Sequence, residues 1–187
     1  MACIRATTPS VLLGAAAQRG AFTREVVEAH TAGVAEVYGP GARPVILALS
    51  NPTSKAECTA EEALTWSGGH AVFASGTAFP PVALPGGCTY VPAQSNNALV
   101  FPGVVLGAFA CGASQITESM FLAAARTLAQ QLTPEELERG MILPSIQRLM
   151  GEGLASAAEP SAEGAAGDRR AAWRTQGWRS TSRPPWR

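Results

Sequence analysis

Apolar residues run in three short blocks along the first half of the chain, each broken off by small or polar residues. Val11-Leu12-Leu13 stops at Gly14, Val45–Leu49 stops at Ser50-Asn51-Pro52, and Ala71–Ala74 stops at Ser75-Gly76. Blocks of this kind predict buried parallel strands, because strands covered on both faces read as unbroken apolar runs. Between the first two, Phe22–Val37 predicts a helix. Thr23 is its N-cap, Phe22 and Val27 are the ends of a hydrophobic staple, and Gly39-Pro40 stops it. Between the second and third, Thr59-Ala60-Glu61-Glu62 is a capping box that opens a helix to about Trp66, closed by Gly68-Gly69. Strand, helix, strand, helix, strand predicts an α/β fold: a partial Rossmann-like parallel sheet with flanking helices.

The pattern then loosens. Thr77–Pro85 is rich in proline and predicts no regular structure, and Cys88–Val91 predicts a brief extended piece. A polar cluster, Gln94-Ser95-Asn96-Asn97, stands before Ala98–Cys111, which is apolar on all sides and so, if helical, is expected to be a buried helix. Two further helices are signalled by caps. Thr117 opens one, with Ile116 and Phe121 as staple and Met120, Phe121, Ala124, Leu128 and Leu132 as its apolar stripe. Thr133, Pro134 and Glu136 open the other, which ends near Gly140. Beyond Leu154 no aliphatic residue is larger than Ala, and six arginines and three tryptophans follow, a composition that predicts a disordered C-terminal tail. The expected divisions are a leader at 1–10, the α/β part at 11–149 and the tail at 150–187.

Composition changes this picture little. The 187 residues, 47% of them hydrophobic, suit one domain with a tail. A formal net charge of +0 gives no basis for a nucleic-acid or anionic-membrane partner. No apolar run is long enough for a transmembrane helix, and Val11–Ala17 lacks the flanks of a signal peptide. Cys3, Cys58, Cys88 and Cys111 are far apart and have no His nearby, so they read as thiols of a reducing compartment. The expected location is cytoplasmic, with a mitochondrial one as the alternative.

Candidate chemistry is sparse. Asp168, in the tail, is the only aspartate, and no Asp/Glu/His cluster has metal-ligand spacing. His30 and His70 have no nucleophile at a recognisable spacing and read as structural. Glu61 and Glu62 suit a helix start. No Gly-x-Gly-x-x-Gly or Walker loop joins a strand to a helix. The strongest candidate is the end of the second strand. Ligands of open α/β sheets bind at the carboxyl ends of strands, and Asn51 there offers both an acceptor and a donor. The competing reading is an Asx-turn that only closes the strand.

The nineteen residues Arg43–Glu61, containing Leu49-Ser50-Asn51-Pro52-Thr53-Ser54-Lys55-Ala56-Glu57-Cys58-Thr59-Ala60-Glu61, strongly resemble the malic enzymes, oxidative decarboxylases of malate. The likeness begins near Val11, where Val11-Leu12-Leu13-Gly14 and Gly20-Ala21-Phe22-Thr23 match. It continues through Phe73-Ala74-Ser75-Gly76 and Gln94–Gly103 and fades near Leu149. It looks closest to the animal-type NADP-dependent branch. The resemblance implies a Rossmann-type domain for NAD or NADP. It implies that Asn51, Asn96 and Asn97 hydrogen-bond malate, and that Ser50, Asn51 and Asn96 lie beside the nicotinamide.

In the family, the catalytic Tyr and Lys, the acidic ligands of Mg²⁺ or Mn²⁺, the substrate Arg and the Gly-rich dinucleotide loop all lie upstream of the part matched by Val11. None can be placed on this sequence, and no catalytic residue is assigned. Two expectations follow: the parent malate-decarboxylating activity, or a catalytically incompetent truncated product. The latter would at most bind cofactor weakly, form a homo-oligomer or associate with full-length malic enzyme subunits. Two departures stand inside the match. The family's Pro-Gly-Gln-Gly-Asn-Asn is here Pro92-Ala93-Gln94-Ser95-Asn96-Asn97, which predicts strain at Ala93 or Ser95 if either position needs a positive φ. The family's Ser-Gly-Ser-Pro-Phe reads Ser75-Gly76-Thr77-Ala78-Phe79.

Overall fold

The computed structural model describes residues 2–148, and the expected tail lies outside the described residues. The three predicted strands form, as β1 (Val11–Gly14), β2 (Val45–Ala48) and β3 (Val72–Ser75). They pair side by side and parallel, with Leu12, Ile46 and Phe73 in register across the sheet. The crossovers are α2 (Arg24–Tyr38) and α3 (Ala60–Trp66); ahead of them α1 (Ala2–Thr7) occupies the expected leader and packs on α2. The α/β fold with a parallel sheet is therefore as expected.

Local codes explain these boundaries. The Thr59 hydroxyl accepts from the Glu62 N–H, and the Glu62 carboxylate accepts from the Thr59 N–H at 2.8 Å, so two otherwise orphaned donors are satisfied at the start of α3. Thr23 takes the N-cap position of α2 without a side-chain cap bond. Phe22 and Val27 are both buried in the core, where they meet Ile46, Ala48, Leu64 and Phe73. Burial of side chains of this size stabilises by roughly 1.5–3 kcal/mol each.

Two expectations need correction, and the condition attached to a third is not met. Thr77–Pro85 is not wholly irregular: β4 (Val82–Ala83) pairs antiparallel with β5 (Thr89–Tyr90). The sheet has a fourth strand, β6 (Ala93–Gln94), parallel to β3 through Ala74↔Ala93 and Ser75↔Gln94. Ala93 and Ser95 are also unstrained, since neither is among the non-glycine residues with positive φ, which are Thr8 and Ala17. Extended backbone accepts a Cβ, so the exchange of glycine for Ala93 costs no strain in this strand.

The chain divides into two compact units. The first holds the sheet, α1–α3 and α6 (Pro134–Glu138), whose start is a second capping box between Thr133 and Glu136. The second begins at Asn97 and contains α4 (Phe101–Cys111), α5 (Glu118–Gln130) and α7 (Ile146–Arg148). The apolar segment is helical over Phe101–Cys111, with Pro102 in its first turn, where a missing N–H costs nothing. It is not buried on all sides. Val104 and Gly107, one turn apart, are its buried residues, whereas Phe101 is 60% and Leu106 57% exposed. Within its unit α4 packs on α5 and the adjoining Asn97–Leu99 turn, and so it covers one face only.

Candidate functional site at the carboxyl ends of the strands

In the first unit, the parallel pairing brings the carboxyl ends of β1, β2, β3 and β6 to one rim. Leu49 N–H donates to Gly14 O (2.9 Å), Gly76 N–H to Ala48 O (3.0 Å), and Ser95 N–H to Ser75 O (2.8 Å). The rim is thus a run of backbone bonds from strand to strand, and the polar residues that end each strand stand on it.

Ser50 and Asn51, the first two residues beyond Leu49, have opposite surroundings. Ser50 is buried, and its hydroxyl donates to the Glu57 carboxylate while accepting from Ala17 N–H (2.8 Å). Asn51 is exposed. Its amide Nδ2 donates to Leu49 O at 3.4 Å, a local turn contact, and both amide atoms lie against Gly76. A Cβ built on Gly76 would stand 2.8 Å from Nδ2 and 2.9 Å from Oδ1, and would press into Leu49 O. The bare glycine lets β3 end directly beside Asn51.

Apart from the Glu57 carboxylate behind Ser50, the donors and acceptors that pair along this rim are neutral. The Thr53 hydroxyl donates to the Thr77 hydroxyl (3.0 Å), the Ser75 hydroxyl to Thr77 O (2.8 Å), and Gln94 Nε2 to Gly76 O (3.4 Å). Asn96 follows β6 on the same unit and is half-buried. Asn97 opens the second unit, in the 3₁₀ turn Asn97–Leu99, and its carbonyl accepts from Val100 N–H. Ser50, Asn51 and Asn96 therefore share a unit, and Asn97 belongs to the other. A neutral rim of amides and hydroxyls suits hydrogen bonding to carboxamide, hydroxyl or carboxylate groups.

Glu57 carries no separate signal in the sequence. It sits between Ala56 and Cys58 inside the motif, and nothing in its local pattern marks a carboxylate that is 1% exposed. Cys58 beside it is no nucleophile: burial first, then the Glu62 and Glu57 carboxylates, push its thiol up to about 12. His30, expected to be structural, lies in the core. It is fully buried, Nε2 lies 3.3 Å from Val45 O, and burial holds its pKa below the ordinary range against the pull of the Val45 and Pro9 carbonyls.

Residues 1–159 match the family model described as malic enzyme, NAD binding domain. The chain belongs to the malic enzyme family. It is 48% identical over 138 residues to the NADP-dependent malic enzyme of Anas platyrhynchos, covering 74% of this chain and 24% of that protein. It is 44% identical over 148 residues to the NADP-dependent malic enzyme of Homo sapiens, covering 79% and 25%. It is 46% identical over 149 residues to NADP-dependent malic enzyme 1 of Arabidopsis thaliana, covering 80% and 24%. The chain thus spans about a quarter of the length of the curated relatives it matches. Among its described residues, no helix is long and apolar enough to cross a membrane.

Proposed function

We propose that residues 11–149 form the substrate- and nicotinamide-facing part of a malic enzyme cofactor domain. The parent reaction converts (S)-malate and NAD(P)⁺ to pyruvate, CO₂ and NAD(P)H. The observation that carries this reading is the placement of Asn51 at the carboxyl end of a central parallel strand, beside a glycine with no side chain to cover it. In this reading Asn51, Asn96 and Asn97 hydrogen-bond the carboxylate and hydroxyl of malate. Ser50, Asn51 and Asn96 border the nicotinamide, whose carboxamide matches the neutral amides and hydroxyls of the rim. The bound nicotinamide supplies the hydride acceptor, and the chain's own residues orient malate toward it. The relatives are named for NADP, so NADP⁺ is the first cofactor to test.

The family's divalent cation does not fit the residues described. Among them no three His, Cys, Asp or Glu side chains converge to hold an ion. This observation favours a second reading, in which the chain by itself binds cofactor or associates with malic enzyme subunits without turnover. Calorimetric titration of the purified chain with NADP⁺, with and without malate, tests the site. Binding that weakens about tenfold in Asn51→Ala, the worth of one good hydrogen bond to a charged group, supports it. Equal affinity in both proteins overturns the role of Asn51. A Mn²⁺-dependent malate decarboxylation assay separates the readings, because sustained turnover sinks the second.

A further inference from the structure

We propose that Glu57 is the positioning residue of the Ser50–Asn51 rim: its carboxylate ties the loop after β1 to the end of β2 and so fixes where Asn51 stands. The inference rests on the reading of Asn51 as a ligand contact.

Three donors converge on this one carboxylate. Oε1 accepts from Ala16 N–H (3.2 Å) and from the Ser50 hydroxyl, and Oε2 accepts from Ser50 N–H (3.4 Å). The Ser50 hydroxyl extends the chain, since it accepts from Ala17 N–H. Backbone bonds close the same junction: Phe22 N–H donates to Glu57 O (3.1 Å) and Gly20 N–H to Ala56 O (3.4 Å). The segment 56–57 therefore holds the loop 16–22 on one side and the first residue of the rim on the other.

The junction calls for acceptors: Ala16 N–H, Ser50 N–H and the Ser50 hydroxyl all donate to this side chain, and an amide in its place would turn an NH₂ toward one of them. The fold makes room for it. Gly14, at the end of β1, has no Cβ, and one placed there would stand 2.6 Å from Glu57 Cδ. The loop it holds is not a relaxed one. Ala17 has φ 53, in the left-handed region that alanine rarely adopts, so contacts outside the loop must hold it there. Ser50 is bonded into this junction through both its N–H and its hydroxyl, and Asn51 is the next residue. A shift of the carboxylate moves the peptide that carries Asn51.

The test combines hydrogen exchange with ligand titration on the full chain, using Glu57→Gln and the milder Ser50→Ala. Positioning predicts that exchange at the Ala16, Ala17 and Ser50 amides speeds about tenfold in Glu57→Gln, while Ile46 and Phe73 in the sheet stay near wild type. It further predicts that NADP⁺ affinity, measured with malate present, falls by about the same factor without a matching loss of Tm. In Ser50→Ala the change is confined to Ala17 and the rim. Uniform loss of protection over the whole sheet in both variants would make Glu57 a general structural residue and overturn the proposal, as would unchanged exchange at the three amides. A wild-type chain that binds and a Glu57→Gln chain that binds equally well overturn the positioning role and leave the proposed site standing. If the wild-type chain binds neither ligand, the proposed site falls, and the exchange pattern alone decides whether the Glu57 clasp stands.

Discussion

The hydroxyl of Tyr90 meets both backbone polar groups of Phe73: it accepts from Phe73 N–H at 2.8 Å and lies 3.2 Å from Phe73 O. Phe73 is in mid-strand, and β6 pairs with β3 only at Ala74 and Ser75. A side chain 17 residues on thus takes the place of a missing ladder neighbour. Tyr90→Phe keeps the ring and leaves the buried Phe73 N–H without its acceptor, so stability should fall by about 1–3 kcal/mol in urea denaturation. Burial also raises the Tyr90 pKa, against the opposing effects of Phe73 and Arg43. A phenol whose folded pKa lies above its unfolded value contributes fully below the unfolded value, about 10, and that contribution is lost as pH rises toward the folded one. Wild type should lose stability above about pH 10 more steeply than Tyr90→Phe; parallel curves would contradict this.

Gly76 is a backbone position on which the rim depends. A methyl group there meets the Asn51 amide and Leu49 O at once, and neither the backbone carbonyl nor the strand carrying it can give way cheaply. Gly76→Ala should cost about 1–3 kcal/mol, the usual range for overpacking, and should abolish the NADP⁺ and malate response before it unfolds the chain. A variant of wild-type stability and affinity would show that the rim is looser than these contacts imply.

Much of this was legible in the residues, for identifiable reasons. Thr59 with Glu62, and Thr133 with Glu136, are local codes: both partners of each bond lie within one helical turn, so the pattern carries the structure. The three apolar blocks are equally self-contained. β6 was missed because Ala93-Gln94 is too short to show a period and is defined only by partners on β3. The exposure of α4 is not legible in the sequence, because hydropathy reports what a helix prefers to meet, and not how many neighbours pack against it. Ser50 and Asn51 stand out as a strand end, whereas Glu57 does not, because its partner Ala16 is distant in sequence and its contact with Ser50 follows no local code. A buried carboxylate declares itself only when those donors converge.

His30 gives a prediction at the acid end. Its pKa is held below the ordinary value of about 6.5, chiefly by burial, so the folded chain resists a proton that the unfolded chain takes up. Its contribution is complete above the unfolded value and is lost as pH falls through the folded one. Stability measured from pH 8 downward should begin to decline below about pH 6.5, and His30→Gln, which retains a donor for Val45 O, should lack that component. If the difference between the two proteins is the same at every pH, the histidine does not titrate as argued.

Three of the four cysteines should separate cleanly by reactivity. Cys3 and Cys88 are exposed, and Cys58 is buried with its thiol pushed up to about 12. Thiolate is the reactive form, so at pH 8 a maleimide reagent should modify Cys3 and Cys88 promptly and Cys58 only on the timescale of unfolding. Peptide mapping by mass spectrometry reads this directly. Rapid modification of Cys58 in native buffer would mean that the β2–α3 junction opens far more readily than its burial implies.

The last prediction concerns β1, the edge of the sheet. Val11 and Leu13 are 46% and 57% exposed there, on a strand whose only sheet neighbour among the described residues is β2. Apolar side chains on an open edge strand invite pairing with a second chain, and a charge on that edge opposes it. Leu13→Lys leaves the buried residues of the sheet untouched, so it should alter stability by less than about 0.5 kcal/mol. It should nevertheless raise the soluble fraction on expression and lower the scattered mass in solution. Unchanged aggregation in Leu13→Lys, with Val11→Lys behaving alike, would acquit this edge and shift attention to Phe101 and Leu106 on α4.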